Sequence, residues 1–118
     1  MDDRRLHLRL RQRRKFALRL SSGEILYLWT YDLSFGGVQV LSENPADTGV
    51  RFVAYLSVFD RSRDRYTWIE VEVKTIHVIY DGTAACYRIG FQFLNFKEEG
   101  QALLEQDLEE RLGRLHRP

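Results

Sequence analysis

Apolar and polar residues alternate with a period of two along most of this chain, and that period predicts β-strands. It is clearest at residues 68–79, where Ile69, Val71 and Val73 point one way and Glu70, Glu72 and Lys74 the other. Residues 24–32 (EILYLWTYD) are rich in β-branched and aromatic side chains, which favour a pleated, half-buried surface. Further extended runs fall at residues 16–20, 38–41, 50–59 and 85–93, and Leu6, Leu8 and Leu10 show the same alternation near the start. Breakers separate the runs: Ser21-Ser22-Gly23, Phe35-Gly36-Gly37, the Asn44-Pro45 loop, the charged tip at 60–65, and Asp81-Gly82, a hairpin signal. Only the end has helical spacing. Leu104, Leu108, Leu112 and Leu115 recur at intervals of four, four and three, a narrow apolar stripe.

Six or seven short antiparallel strands and one terminal helix predict a mainly β, all-β-class fold, a small barrel. The helix is expected to plug a barrel end or edge, or to pair its stripe with another subunit. A chain of 118 residues has room for one domain and one core. No apolar run approaches the roughly 20 residues of a membrane span. The arginine-rich start lacks the apolar segment of a secretory signal, so a cytoplasmic protein is expected. Cys86 is the single cysteine and cannot form an internal disulfide; a buried, inert thiol is expected there.

The net charge of +1 conceals an asymmetry: residues 1–20 carry about +6 and the remainder about −5. A basic arm of this kind is suited to an anionic ligand or partner. Within it, Arg5 and Arg9 stand four apart, with Arg4 preceding them. A guanidinium can donate two parallel bonds to O6 and N7 of guanine, and it can also stack on a purine and neutralise phosphate. Asp32, at the end of a strand, can accept from N1 and N2 of guanine. Ser34 can serve a phosphate or ribose oxygen. Gly36 and Gly37 allow positive φ and close backbone approach to a ligand. Arg9 and Arg13 satisfy the same four-residue spacing, so the register stays open between Arg5/Arg9 and Arg9/Arg13. Arg11, Arg13 and Arg14 either widen the anion site or are solvated.

The two elements in this order, Arg-x-x-x-Arg and then Asp-x-Ser-x-x-Gly, resemble the two-part signature of the PilZ domain family. Asp32-Leu33-Ser34-Phe35-Gly36-Gly37-Val38 is similar to that family's turn, and Tyr87-Arg88-Ile89-Gly90-Phe91-Gln92-Phe93 to its last barrel strand. The resemblance implies a six-stranded antiparallel PilZ-type β-barrel at 12–96, a flexible arginine-rich arm at 1–11 and a C-terminal α-helix at 97–118. It implies a bacterial receptor for the second messenger cyclic di-GMP, bound by Arg4, Arg5, Arg9, Asp32, Ser34, Gly36 and Gly37. Binding would order the arm and present a new surface to an effector protein, with homodimerisation left open.

Two rivals come from other classes. One is a PilZ-like adaptor that binds only protein. The other is a nucleic-acid-binding barrel with a basic arm, disfavoured as no stacking series of exposed aromatics is evident in the sequence. An enzyme is not expected: His7, His77 and His116 have no metal-ligand spacing. Glu70 and Glu72 fit an exposed strand face better than acid–base work.

Overall fold

The computed structural model describes residues 8–115, which form six strands and one helix. The strands are β1 (Lys15–Arg19), β2 (Ile25–Leu33), β3 (Gly37–Ser42), β4 (Arg51–Asp60), β5 (Arg65–Asp81) and β6 (Cys86–Phe96), followed by α1 (Gly100–Leu115). All pairings are antiparallel, and β1 closes on β4 to complete a barrel in the order β1-β2-β3-β6-β5-β4.

The alternation read from the sequence sorts the faces. Ile69, Val71 and Val73 are buried, while Glu70, Glu72 and Lys74 lie on the partly exposed outer face. At the centre Phe16 stacks on Phe91 at 5.6 Å between ring centres, and Phe52 meets Phe91 edge-on at 6.2 Å. Leu104 and Leu108 of α1 are buried in the same core, against β4 and β5. Leu104 and Leu108 of the leucine stripe therefore cover the barrel of their own chain, with Leu112 half-buried behind them; the Leu115 side chain lies outside the described residues.

Two local expectations change. Leu10 belongs to no strand; it makes one bridge to Leu33, each N–H donating to the other's carbonyl at 2.8 and 2.9 Å. Its side chain is buried, so this part of the arm has an apolar anchor. The β5–β6 hairpin does turn after Asp81, but Ala85 rather than Gly82 takes the left-handed conformation, with φ of 54°. The Asp81 carboxylate shapes that loop by accepting from the N–H groups of Thr83 and Ala84 at 3.0 and 3.1 Å. Cys86 is half-buried and free.

Candidate functional site

The turn between β2 and β3 is built by the residues of the second motif. Ser34 donates its backbone N–H and its hydroxyl to the carbonyl of Gly37, at 2.9 and 3.1 Å. The same hydroxyl accepts the Gly37 N–H at 3.1 Å. The carbonyl of Gly36 accepts from the N–H of Phe93 at 3.0 Å, tying the turn to β6. A Cβ on Gly37 would lie 2.3 Å from the carbonyl oxygen of Phe91, so only glycine lets β3 approach β6 here. The backbone that Gly37 admits so closely is thus the neighbouring strand, and the residue does not adopt positive φ. Ser34 is buried. Its hydroxyl is engaged inside the turn, which it holds in shape.

Asp32 leaves β2 just after a bulge, where the β2–β3 register shifts between Thr30 and Asp32. A bulge re-aims the following side chain. The Asp32 carboxylate accepts from Arg9 Nη1 at 3.0 Å and from Gln39 Nε2 at 3.3 Å. The Leu10–Leu33 bridge fixes this meeting, because it lays the arm antiparallel beside the end of β2. The Arg9 side chain is 40% exposed and that of Asp32 is 11% exposed, so the guanidinium stands outermost. Arg9 thus meets Asp32 and its turn. Arg4 and Arg5 lie outside the described residues.

The later arginines separate by parity. Arg11 lies over the Tyr31 ring at 4.0 Å from its centre, and Arg13 over Trp29 at 4.3 Å. Arg88 of β6 also lies over Tyr31, at 4.0 Å, and donates to Asp81 at 2.6 Å. That donation, with the negative charges of Asp81 and Asp32 nearby, outweighs desolvation and raises the Arg88 pKa. A cavity of about 890 Å³ runs from Arg11, Arg13, Trp29 and Tyr31 over the barrel end near Leu28 and Phe52. Its lining excludes Asp32, Ser34 and both turn glycines.

Arg14 points the other way and is neither solvated nor part of an anion site. Its backbone N–H donates to the Thr30 hydroxyl at 2.7 Å, and its Nη1 donates to Asp107 of α1 at 2.7 Å and to the Ser57 carbonyl at 3.0 Å. Asp107 also accepts from the Phe59 N–H and from Arg111 Nε, both at 3.0 Å. Burial pushes the Asp107 pKa up. The bonds from Arg14, Phe59 and Arg111 outweigh that and hold it below the ordinary aspartate value.

Gln39, Tyr31 and Arg88 join this surface without any motif to announce them. Only pairing across β2, β3 and β6 brings them together. The sequence also concealed an aromatic series on the outer face of β2: Tyr27 is 70% exposed and Trp29 43%, with Tyr31 half-buried beyond them. His77 packs across Gly90, where a Cβ would meet its ring at 2.2 Å. No cluster of three metal-ligating side chains exists among the described residues, nor is any described helix long and apolar enough to cross a membrane.

No curated protein matches the chain. Among solved structures, it is similar to the inhibitor of motility MotI/DgrA of Bacillus subtilis, with 16% identity and a TM-score of 0.77, covering 93% of this chain and 52% of that one. It is similar to the PilZ domain of YcgR from Escherichia coli, solved with c-di-GMP, with 23% identity and a TM-score of 0.58, covering 91% and 92%. It is also similar to K. pneumonia MrkH in its c-di-GMP complex, with 21% identity and a TM-score of 0.68, covering 92% and 52%. The chain spans about half the length of MotI/DgrA and MrkH. At these identities the likeness shows the fold. The sequence model of the PilZ domain matches residues 3–110, the whole barrel and most of α1, and the chain belongs to the PilZ domain family.

Proposed function

We propose that this chain is a bacterial, cytoplasmic receptor for cyclic di-GMP that acts by binding rather than by catalysis. The observation that carries the reading is the 3.0 Å pairing of Arg9 with Asp32, which joins the two halves of the motif at one turn. A half-exposed guanidinium supplies donors for the Hoogsteen edge of guanine and for phosphate. The carboxylate keeps unused lone pairs, since each oxygen can accept more than one bond, and it suits the N1 and N2 donors of guanine. Arg4 and Arg5 would add charge from the arm, with Arg5 and Arg9 as the motif pair. Ser34, Gly36 and Gly37 serve by fixing the turn that presents Asp32.

Transmission would run through the arm. Arg14 lies five residues beyond Arg9 and is tied to Asp107 of α1. Drawing Arg9 onto a ligand would therefore pull on a segment anchored to the C-terminal helix, altering the surface offered to an effector protein. Calorimetric titration with cyclic di-GMP and cyclic di-AMP tests the ligand. Binding of the guanine ligand and at least about tenfold weaker binding of the adenine one is expected, because adenine lacks the O6 acceptor and N1–H donor. Equal affinity for both would remove the role given to Asp32.

A further inference from the structure

The outer face of β2 carries a feature that the Arg9–Asp32 pair does not use. Tyr27 and Trp29, two residues apart, share the exposed outer side of the strand, and Tyr31 follows them at the bulge before Asp32. Residues two apart on a strand are spaced by roughly 6.7 Å. Arg13 lies over the Trp29 ring, and both Arg11 and Arg88 lie over that of Tyr31. Among the described residues, no carboxylate pairs with Arg11 or Arg13. Lys15 is exposed and lies opposite Trp29 in the β1–β2 pairing. The nearby carboxylates Asp32 and Asp81 are paired with Arg9 and Arg88, while Glu43 and Asp47 bound the surface at the barrel end.

We propose that this face binds single-stranded nucleic acid. The exposed rings of Tyr27 and Trp29 offer surfaces on which unstacked bases can lie, with Tyr31 held between Arg11 and Arg88 at the end of the series. Arg11, Arg13 and the exposed Lys15 supply positive charge beside the rings for a phosphate backbone. Stacking of this kind is sequence-tolerant, and a duplex, whose bases are already stacked, cannot use it. The proposal rests on the aromatic series, which adjoins the Arg9–Asp32 site at Tyr31, and gives Asp32 itself no part.

Fluorescence anisotropy with a labelled oligothymidylate of about ten nucleotides, and with the duplex of the same length, tests it. The full chain is expected to bind the single strand more tightly than the duplex, with affinity falling steeply as salt rises. Trp29→Ala and Tyr27→Ser should each weaken binding by about tenfold. The highly exposed Tyr27 serves as the variant that leaves the fold intact if Trp29→Ala does not. Arg11→Ala with Arg13→Ala should weaken binding and flatten the salt dependence, whereas Asp32→Ala should leave it unchanged or strengthen it. Absence of binding at low salt would overturn the proposal. So would equal affinity for the duplex, or wild-type affinity in both aromatic variants.

Discussion

Arg9 and Asp32 stand 23 residues apart in the chain and 3.0 Å apart in the fold. What brings them together is backbone geometry: the Leu10–Leu33 bridge sets Arg9 beside β2, and the bulge before Asp32 re-aims its largely buried carboxylate. Because Arg9 is 40% exposed, their attraction is weakened by solvent. Arg9→Ala is therefore expected to change folding stability by less than about 1 kcal/mol in urea denaturation. A larger loss would make the pair a structural clamp.

The opposite holds for Arg14 and Asp107, whose side chains are only 4% and 3% exposed. Breaking a buried pair by neutralising one member leaves the other charge uncompensated, at a cost of about 3–5 kcal/mol. Asp107→Asn should lower the urea midpoint accordingly without changing the slope. Arg14→Met combined with Asp107→Leu should recover only part of the loss, because it removes the uncompensated charge but leaves the Phe59 N–H and Arg111 without their acceptor.

The depressed pKa of Asp107 also sets the sign of a pH effect. Its folded-state value lies below the ordinary 3.8, so its stabilising contribution is complete above that pH and is lost as pH falls through the folded value. Asp60, bonded by the Ser62 hydroxyl, and Asp81, bonded by Arg88, are shifted in the same direction. Urea midpoints measured below about pH 4 should fall with acidification in the wild type, and less steeply in Asp107→Asn. Identical pH profiles would remove this role from Asp107.

The glycines of β3 and β6 give a contrast. Gly37→Ala places a methyl 2.3 Å from a backbone oxygen that cannot turn away. A loss of about 1–3 kcal/mol is expected from this overpacking. Gly90→Ala instead meets the His77 ring, a side chain that can move. Thermal denaturation should show a smaller loss for Gly90→Ala, largely relieved by adding His77→Ala, while no single side-chain deletion relieves Gly37→Ala.

Much of the barrel was legible in the sequence because alternation reports directly on which side of a strand is buried: Ile69, Val71 and Val73 are inside as read. Arg9 and Asp32 stood out as members of a two-part motif, but their direct pairing is set by the Leu10–Leu33 bridge. The roles of Ser34 and Gly37 were not legible, because their partners, the Gly37 carbonyl and the Phe91 carbonyl, are set by the turn and by strand pairing rather than by residue type. Arg11, Arg13 and Arg14 are chemically alike in the sequence. The first two lie on aromatic rings outside the barrel, and the third is drawn inside by an aspartate 93 residues away. Gln39 and Arg88 reach the site only through pairing of β3 with β2 and β6, which no local pattern records.

The central claim is that Arg9 and Asp32 form the cyclic di-GMP site. Calorimetric titration of the wild type beside Asp32→Ala tests it most directly, because that substitution removes a negative charge and would strengthen any purely electrostatic binding of an anion. The account predicts wild-type binding at or below tens of micromolar and a loss of about tenfold or more in Asp32→Ala, the value of hydrogen bonds to a charged group. Undetectable binding by the wild type, or equal or tighter binding by Asp32→Ala, would contradict it.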